Sequence, residues 1–546
     1  MSKFQNILIK IFYILLCLSP CLMAVVMAGF ALTSGWEWLF PGYDHLHFVI
    51  MEPFGHFIGA FINLLVLSLV GVGSYLGVTL WLDKTNHNVS KTDNGKINKL
   101  FGLIAESKVA RLLELKLDGK GLKSLLIICA SVMFLAFVPR IVLFVIFGGS
   151  LQPSSDCANM WQLVKGNLEP SVLGHYTFFP AYLNYAAFMK VIAAVSGYRF
   201  SAVLFVNIIT NVITAGLISV LANLISKNSK VAFVSGLVYA LYPSGIIYTL
   251  TATPEHQCIM FLVLMVILVI LALRQEEYPW SMILMGLAGF CAALSNAFKN
   301  FIPVVLVAMV IVLILHIIGE KLPIPQIGVM VAGLVILVCC QSATSKGIEV
   351  ITARVFDVKI DASDALPHFI VVGINREGEG QIHLGEMSHF YTNLREIGVP
   401  ADKAREETFS LIKDDWATHA DEIIPFIVKK EIWEWQDDYG AVRVFGYASS
   451  LPESTLLEYI RGPVATATQL GYYILMGACL ISGVASLLNK KGYNLLFILN
   501  DMIIYGFFWL MNISEAQSRY KSLIIPFLCI MAARLIMLCK LGSKNK

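Results

Sequence analysis

The chain has 546 residues, of which 57% are hydrophobic and 14% charged, with a formal net charge of +3. Soluble domains carry about one quarter charged residues, so this composition excludes an ordinary soluble protein and indicates a polytopic membrane protein. The eleven cysteines lie mostly inside apolar runs, show no CxxC or His/Cys metal spacing and are absent from 344–464, which favours packing over metal binding or a disulfide-stapled ectodomain.

A spanning helix needs roughly 20 apolar residues. By that measure helices are predicted at 7–32, 55–82, 123–148, 201–226, 231–252, 256–274, 279–297, 300–319, 325–343, 465–488, 493–513 and 521–540, twelve in all. The first follows Lys3 and Lys10 as a signal peptide would, but no small-residue cleavage site follows it, and it reads as an anchor. A further apolar run, 180–197, is interrupted by Asn184 and Lys190 and reads as a helix lying in the interface.

Charge bias sets the orientation. Segment 84–123 holds nine Lys/Arg against four Asp/Glu and should be cytoplasmic; alternation then puts Lys227, Lys230, Arg274, Lys321, Lys490, Lys491 and both termini inside. The domains expected are 1–83 (two helices), 84–122 (a basic amphipathic linker), 123–343 (a helical core), 344–464 (an extracytoplasmic domain) and 465–546 (the last helices). The outer segment 344–464 carries twelve Lys/Arg against twenty-one Asp/Glu; it is helical in pattern from about 384 to 435, with a short strand expected at Phe369–Val372. The fold class is therefore an all-α multipass membrane protein with one inserted outer domain.

This topology brings Asp156, His175, Glu255, His256, Lys299, Glu515, Arg519 and Lys521 to one depth at the outer helix ends. Asp156, in the polar loop Pro153-Ser154-Ser155-Asp156-Cys157, has the chemistry to take a proton from an attacking hydroxyl, or is a turn aspartate. Glu255, after Thr253-Pro254, either orients an acceptor or holds a divalent cation, or answers the helix dipole. Lys299, Arg519 and Lys521 suit phosphate contact, with a snorkelling lysine as the plainer reading of Lys299. Arg140, inside an apolar run, should face protein or a cavity, in a structural or a functional role. Gly378-Glu379-Gly380 lacks the context of a nucleotide loop, and His383, His389 and His419 lack ligand spacing. Nothing suggests a nucleic-acid partner.

Pro139-Arg140, Pro153-Ser154-Ser155-Asp156, Phe179-Pro180, Asn207, Ala240-Leu241-Tyr242-Pro243-Ser244 and Glu255 together resemble bacterial family-39-like glycosyltransferases of the GT-C class. Relatives of that group include protein O-mannosyltransferases and lipid A aminoarabinose transferases. Pro367 to Asn375, Lys429-Lys430 to Trp435 and Glu515 to Tyr520 are also similar to members from Gram-positive bacteria. The resemblance covers about 123–540, and in place of the mannosyltransferase Asp-Glu pair there is one acid after Ser-Ser.

What it implies is transfer of a sugar from a polyprenyl-phosphate donor to an extracytoplasmic glycan, lipid or protein, with inversion and with membrane lipids around the enzyme. Asp156 and Glu255 would be the catalytic acids; Lys299, Arg519 and Lys521 would hold the donor phosphate, supported by Arg140, His175, His256, Glu515 and Tyr520. No cofactor is implied beyond an optional divalent cation. A ligase using a polyprenyl pyrophosphate, a lipid-linked glycan transporter or flippase, and a non-catalytic glycan-binding relative are the rival readings.

Single cysteines introduced into 84–122 and 344–464 are expected to react with an impermeant maleimide only on the cytoplasmic and the extracytoplasmic side, respectively; the reverse pattern would invert the topology.

Overall fold

The computed structural model describes residues 119–149, 151–153, 155–320, 322–360, 365–376, 380, 389–435, 438, 449–450, 455–488 and 495–537. The helices expected at 7–32 and 55–82 and nearly all of the 84–122 linker lie outside the described residues.

The core begins with α1 (Gly119–Phe147), a two-residue strand β1 (Gln152–Pro153), α2 (Ser155–Lys165), α3 (Pro170–Phe178), α4 (Pro180–Ser196) and α5 (Phe200–Ser226). It continues through α6 (Ser229–Leu241), α7 (Pro243–Tyr248), α8 (Glu255–Leu273), α9 (Tyr278–Phe298), α10 (Ile302–Glu320) and α11 (Ile324–Phe356). Six helices among the described residues are long and apolar enough to cross a membrane: 121–147, 200–226, 255–273, 278–298, 324–356 and 495–513. Shorter apolar helices at Ser229–Leu241, Ile302–Ile318 and Ile525–Met537 occupy three further expected spans. The core packs α5 against α1, α6 and α8, α8 against α9, and α9 against α11.

Proline marks where the apolar runs break. The expected continuous helix 231–252 is two pieces, because Pro243 opens α7 and leaves Tyr242 extended at φ −62°, ψ 113°. Phe179 before Pro180 is likewise non-helical, and the chain bends by 112° between 172–178 and α4. Asp156, expected in a loop, instead lies in the first turn of α2, after Ser155 at φ 52°.

The outer segment is helical: α12 (Ala365–Ile374), α13 (Phe390–Glu396), α14 (Ala401–Thr418) and α15 (Ile423–Trp435), followed by β2 (Ser449–Ser450). The strand expected at Phe369–Val372 is therefore replaced by α12, whose His368, Val371 and Val372 are buried. An apolar run this short does not separate strand from helix by period, and packing decides. β1 and β2 pair antiparallel, tying the start of α2 to the outer segment. The chain closes with α16 (Thr455–Leu488), α17 (Leu495–Ile513), a 3₁₀ turn (Ser518–Leu523) and α18 (Ile525–Ala533).

Buried charges are matched by local partners. Arg140 Nη1 donates to the carbonyls of Ala136 at 2.9 Å and Ala240 at 2.7 Å, joining α1 to the end of α6. Arg534 meets Asp501 at 3.2 Å. The Lys430 ammonium donates to three carbonyls, those of Gly373 (2.6 Å), Asn512 (3.0 Å) and Ser514 (2.8 Å). At the same joint a Cβ on Gly373 would sit 2.3 Å from the Ser514 carbonyl carbon, so only glycine allows α12 that close. Lys430→Met would strand three buried carbonyls. It is expected to lower stability by roughly 1–3 kcal/mol, read as a depressed thermal midpoint of the detergent-solubilised protein; an unchanged midpoint would refute the clamp.

Candidate active site

Four separate helix ends supply the site. Asp156 is in the first turn of α2, where the helix dipole favours a carboxylate, and its Oδ2 accepts from the Tyr182 hydroxyl at 3.3 Å. Tyr182 stacks on Tyr176 across the α3–α4 bend, ring centroids 5.0 Å apart and planes 9° apart. Glu255 opens α8 and is buried. Its Oε1 is 3.8 Å from the Lys299 ammonium, and its Oε2 has no hydrogen-bond partner among the described residues.

Lys299 leaves α9 in extended backbone, which swings its side chain away from the bilayer-facing helix surface and towards Glu255. Its Nζ also stands 3.8 Å from the centroid of the Tyr520 ring. Burial draws this ammonium below its ordinary pKa, and Glu255 opposes the shift. Arg519 lies on the same tyrosine, its Cζ 5.5 Å from the ring centroid. The Tyr520 hydroxyl donates to Glu515 Oε2 at 2.8 Å, while Gln517 donates to the other oxygen. Glu515 is thus occupied by neutral donors, whereas Arg519 Nε has no hydrogen-bond partner among the described residues. The charge of Arg519 acts on Glu255, Tyr182 and Tyr248. Tyr182, hydrogen-bonded to Asp156, also interacts electrostatically with Arg519 and Glu515.

Glu255, Lys299, Glu515, Arg519 and Tyr520 therefore meet, and Asp156 is reached through Tyr182. The other named residues do not share that meeting point. Lys521 is fully buried, donates to the Glu434 carbonyl, and packs with its ammonium 5.0 Å from the Tyr472 ring and 5.7 Å from that of Trp435. Arg140 serves the α1–α6 joint described above. The side chain of His175 lies outside the described residues.

His256 is turned inward. Its Nε2 faces the carbonyls of Tyr248 at 3.1 Å and Thr251 at 3.3 Å, which only accept, so that nitrogen carries the proton. Its Nδ1 faces the Asn211 amide nitrogen at 2.9 Å and is therefore bare, which makes the ring a neutral imidazole. Asn207 donates to the Thr251 carbonyl at 2.9 Å and accepts from Gln257 at 3.0 Å. This buried network pins the Thr249–Pro254 turn that delivers Glu255. Asn211, Gln257, Tyr176 and Tyr182 were not singled out by the sequence, and Lys430 appeared there only within the Lys429–Trp435 resemblance; two asparagines one turn apart in the apolar α5 were the readable signal. Among the described residues no group of three or more His, Cys, Asp or Glu side chains is placed to hold a metal ion.

Asn211→Leu would leave the His256 Nδ1 and the Tyr239 hydroxyl, which donates to Asn211 at 3.0 Å, without partners. A loss of roughly 1–3 kcal/mol is expected, seen as a lower thermal midpoint; no change would show that the turn is held otherwise.

Residues 183–343, under a third of the chain, match the model of the family described as dolichyl-phosphate-mannose-protein mannosyltransferase. The matched stretch runs from α4 to α11 and includes Glu255, His256 and Lys299, but not Asp156 or Glu515–Arg519. No curated protein matches the chain. Over 183–343 the chain is thus similar to a glycosyltransferase family, and its apolar helices indicate a membrane protein.

Proposed function

We propose that the protein transfers a sugar from a polyprenyl-phosphate carrier to a hydroxyl of an extracytoplasmic acceptor, a cell-envelope polymer, lipid or protein, by direct displacement with inversion. The observation that carries this reading is the pairing of an acid cluster with cations that are not fully matched. Glu255 engages Lys299 at 3.8 Å, yet the Nε of Arg519 is left open while Glu515 is satisfied by Tyr520 and Gln517. A self-contained structural ion-pair cluster would have spent Glu515 on Arg519. An open guanidinium beside a lysine suits a phosphate.

The chemistry follows from charge. Asp156 takes the proton of the acceptor hydroxyl as its oxygen attacks the anomeric carbon. The anomeric C–O bond to phosphate breaks, and its electron pair leaves with the polyprenyl phosphate. The donor phosphodiester carries one negative charge and the departing monophosphate two, so Lys299 and Arg519 interact more strongly with the leaving group than with the intact donor. That difference, not donor binding alone, accelerates the step. Tyr182 holds the Asp156 carboxylate in place from α4.

Asp156→Asn is expected to abolish transfer from a radiolabelled polyprenyl-phosphate sugar in membranes without changing protein abundance; near-normal turnover would remove the base from the scheme. Arg519→Ala should reduce turnover by about 10²-fold and affect donor more than acceptor dependence, and an unaltered donor dependence would count against the phosphate role.

A further inference from the structure

A recess lined by none of the acid-cluster residues lies where the outer end of α17 meets α12, α14 and α15. It is a cavity of about 180 Å³ whose apolar wall includes Trp416, Phe426, Ile427, Trp509 and Ile513. We propose that it holds one acyl chain of a phospholipid from the leaflet on that side of the membrane. This inference is independent of the glycosyltransferase reading.

Continuity with the bilayer is the first support. Trp509 and Ile513 occupy the last turn or so of the spanning helix α17 and are 51% and 49% exposed, so one wall of the recess is also a lipid-facing surface. Tryptophan at this position is what the membrane–water boundary selects. The second support is α14. Its Phe409 and Trp416, seven residues apart and therefore on one face, are 40% and 39% exposed, although α14 belongs to the polar outer segment. Trp416 of α14 and Trp509 of the spanning helix α17 line the recess together. Apolar cavities of about 150 Å³ stay dry and take hydrocarbon guests.

The mouth decides between chain and headgroup. Arg376 donates to both Asp415 oxygens, at 3.1 and 3.4 Å, and pairs with Glu422, and His419 lies 3.3 Å from Asp415. Arg376 is already matched by two acids, so among the described residues lining the recess no unmatched arginine or lysine selects an anionic headgroup. What remains on offer is the apolar interior, and the chain is the part of a lipid that fits it. An occupant here would brace α14 and α15 against α17, next to the Asn512 and Ser514 carbonyls held by Lys430.

The full chain in nanodiscs of phosphatidylcholine brominated midway along its acyl chains provides the test. Subtracting Trp416→Phe from wild type isolates the Trp416 fluorescence from that of the other eight tryptophans. That signal is expected to be quenched more strongly by the brominated chains than by aqueous iodide. Ile427→Phe, which narrows the recess, should cut the chain-dependent quenching by half or more. Quenching mainly by iodide, or by neither agent, would overturn the proposal. Chain quenching untouched by Ile427→Phe would also overturn it, since it would mean surface contact with the bilayer and no inserted chain.

Discussion

The arrangement depends most on one buried ammonium. Lys430 fills its three donor positions with the carbonyls of Gly373, Asn512 and Ser514, three oxygens that come from α12 and from the end of α17. A buried lysine is tolerable only when each of its protons has an acceptor, so the three segments hold one another in place. The backbone adds two more ties, from Glu515 to the Phe369 carbonyl and from Ala516 to the Gly380 carbonyl, each 3.0 Å. The turn carrying Glu515, Arg519 and Tyr520 therefore leaves the membrane already fixed to the outer segment.

The opposite wall of the site is fixed by different means. There the chain uses proline to end helices and buried amides to hold the resulting turns. Pro243 ends α6; Asn207 then donates to the Thr251 carbonyl and His256 to those of Tyr248 and Thr251, while Asn211 holds the other nitrogen of the His256 ring. In lipid such carbonyls have no water to turn to, so an irregular turn survives only with protein donors beside it. Glu255 is the residue that this turn presents. Tyr520 then joins the two walls, with its ring under Lys299 and Arg519 and its hydroxyl on Glu515.

Much of the fold was legible because apolar period and length are one-dimensional signals. The helices expected at 201–226, 256–274 and 279–297 agree with Phe200–Ser226, Glu255–Leu273 and Tyr278–Phe298 to within a residue at each end. The misread elements share one cause. Over Phe369–Val372 and over 231–252 the run of apolar residues was uninformative, and a neighbouring chain or a proline chose the conformation. The same holds among the cations: Lys299 and Lys521 look alike in sequence, but one points to Glu255 and the other into a pocket of Trp435, Tyr472 and the Glu434 carbonyl.

By itself, then, the amino-acid order determined that this chain lives in a membrane, where most of its helices run, and which acids and bases lie near helix ends. Those properties follow from hydrophobicity and from the spacing of charges, and neither needs a partner. Which end residues face one another was decided only by tertiary packing, because a side chain's direction depends on how its helix is rotated and cut. Asp156, Glu255 and Arg519 are separated by 99 and 264 residues (255 − 156 and 519 − 255). What brings Glu255 to Arg519, with Asp156 joined through Tyr182, is the Lys430 clamp, the asparagine-held turn and the bend at Pro180, each of which works through contacts between distant segments.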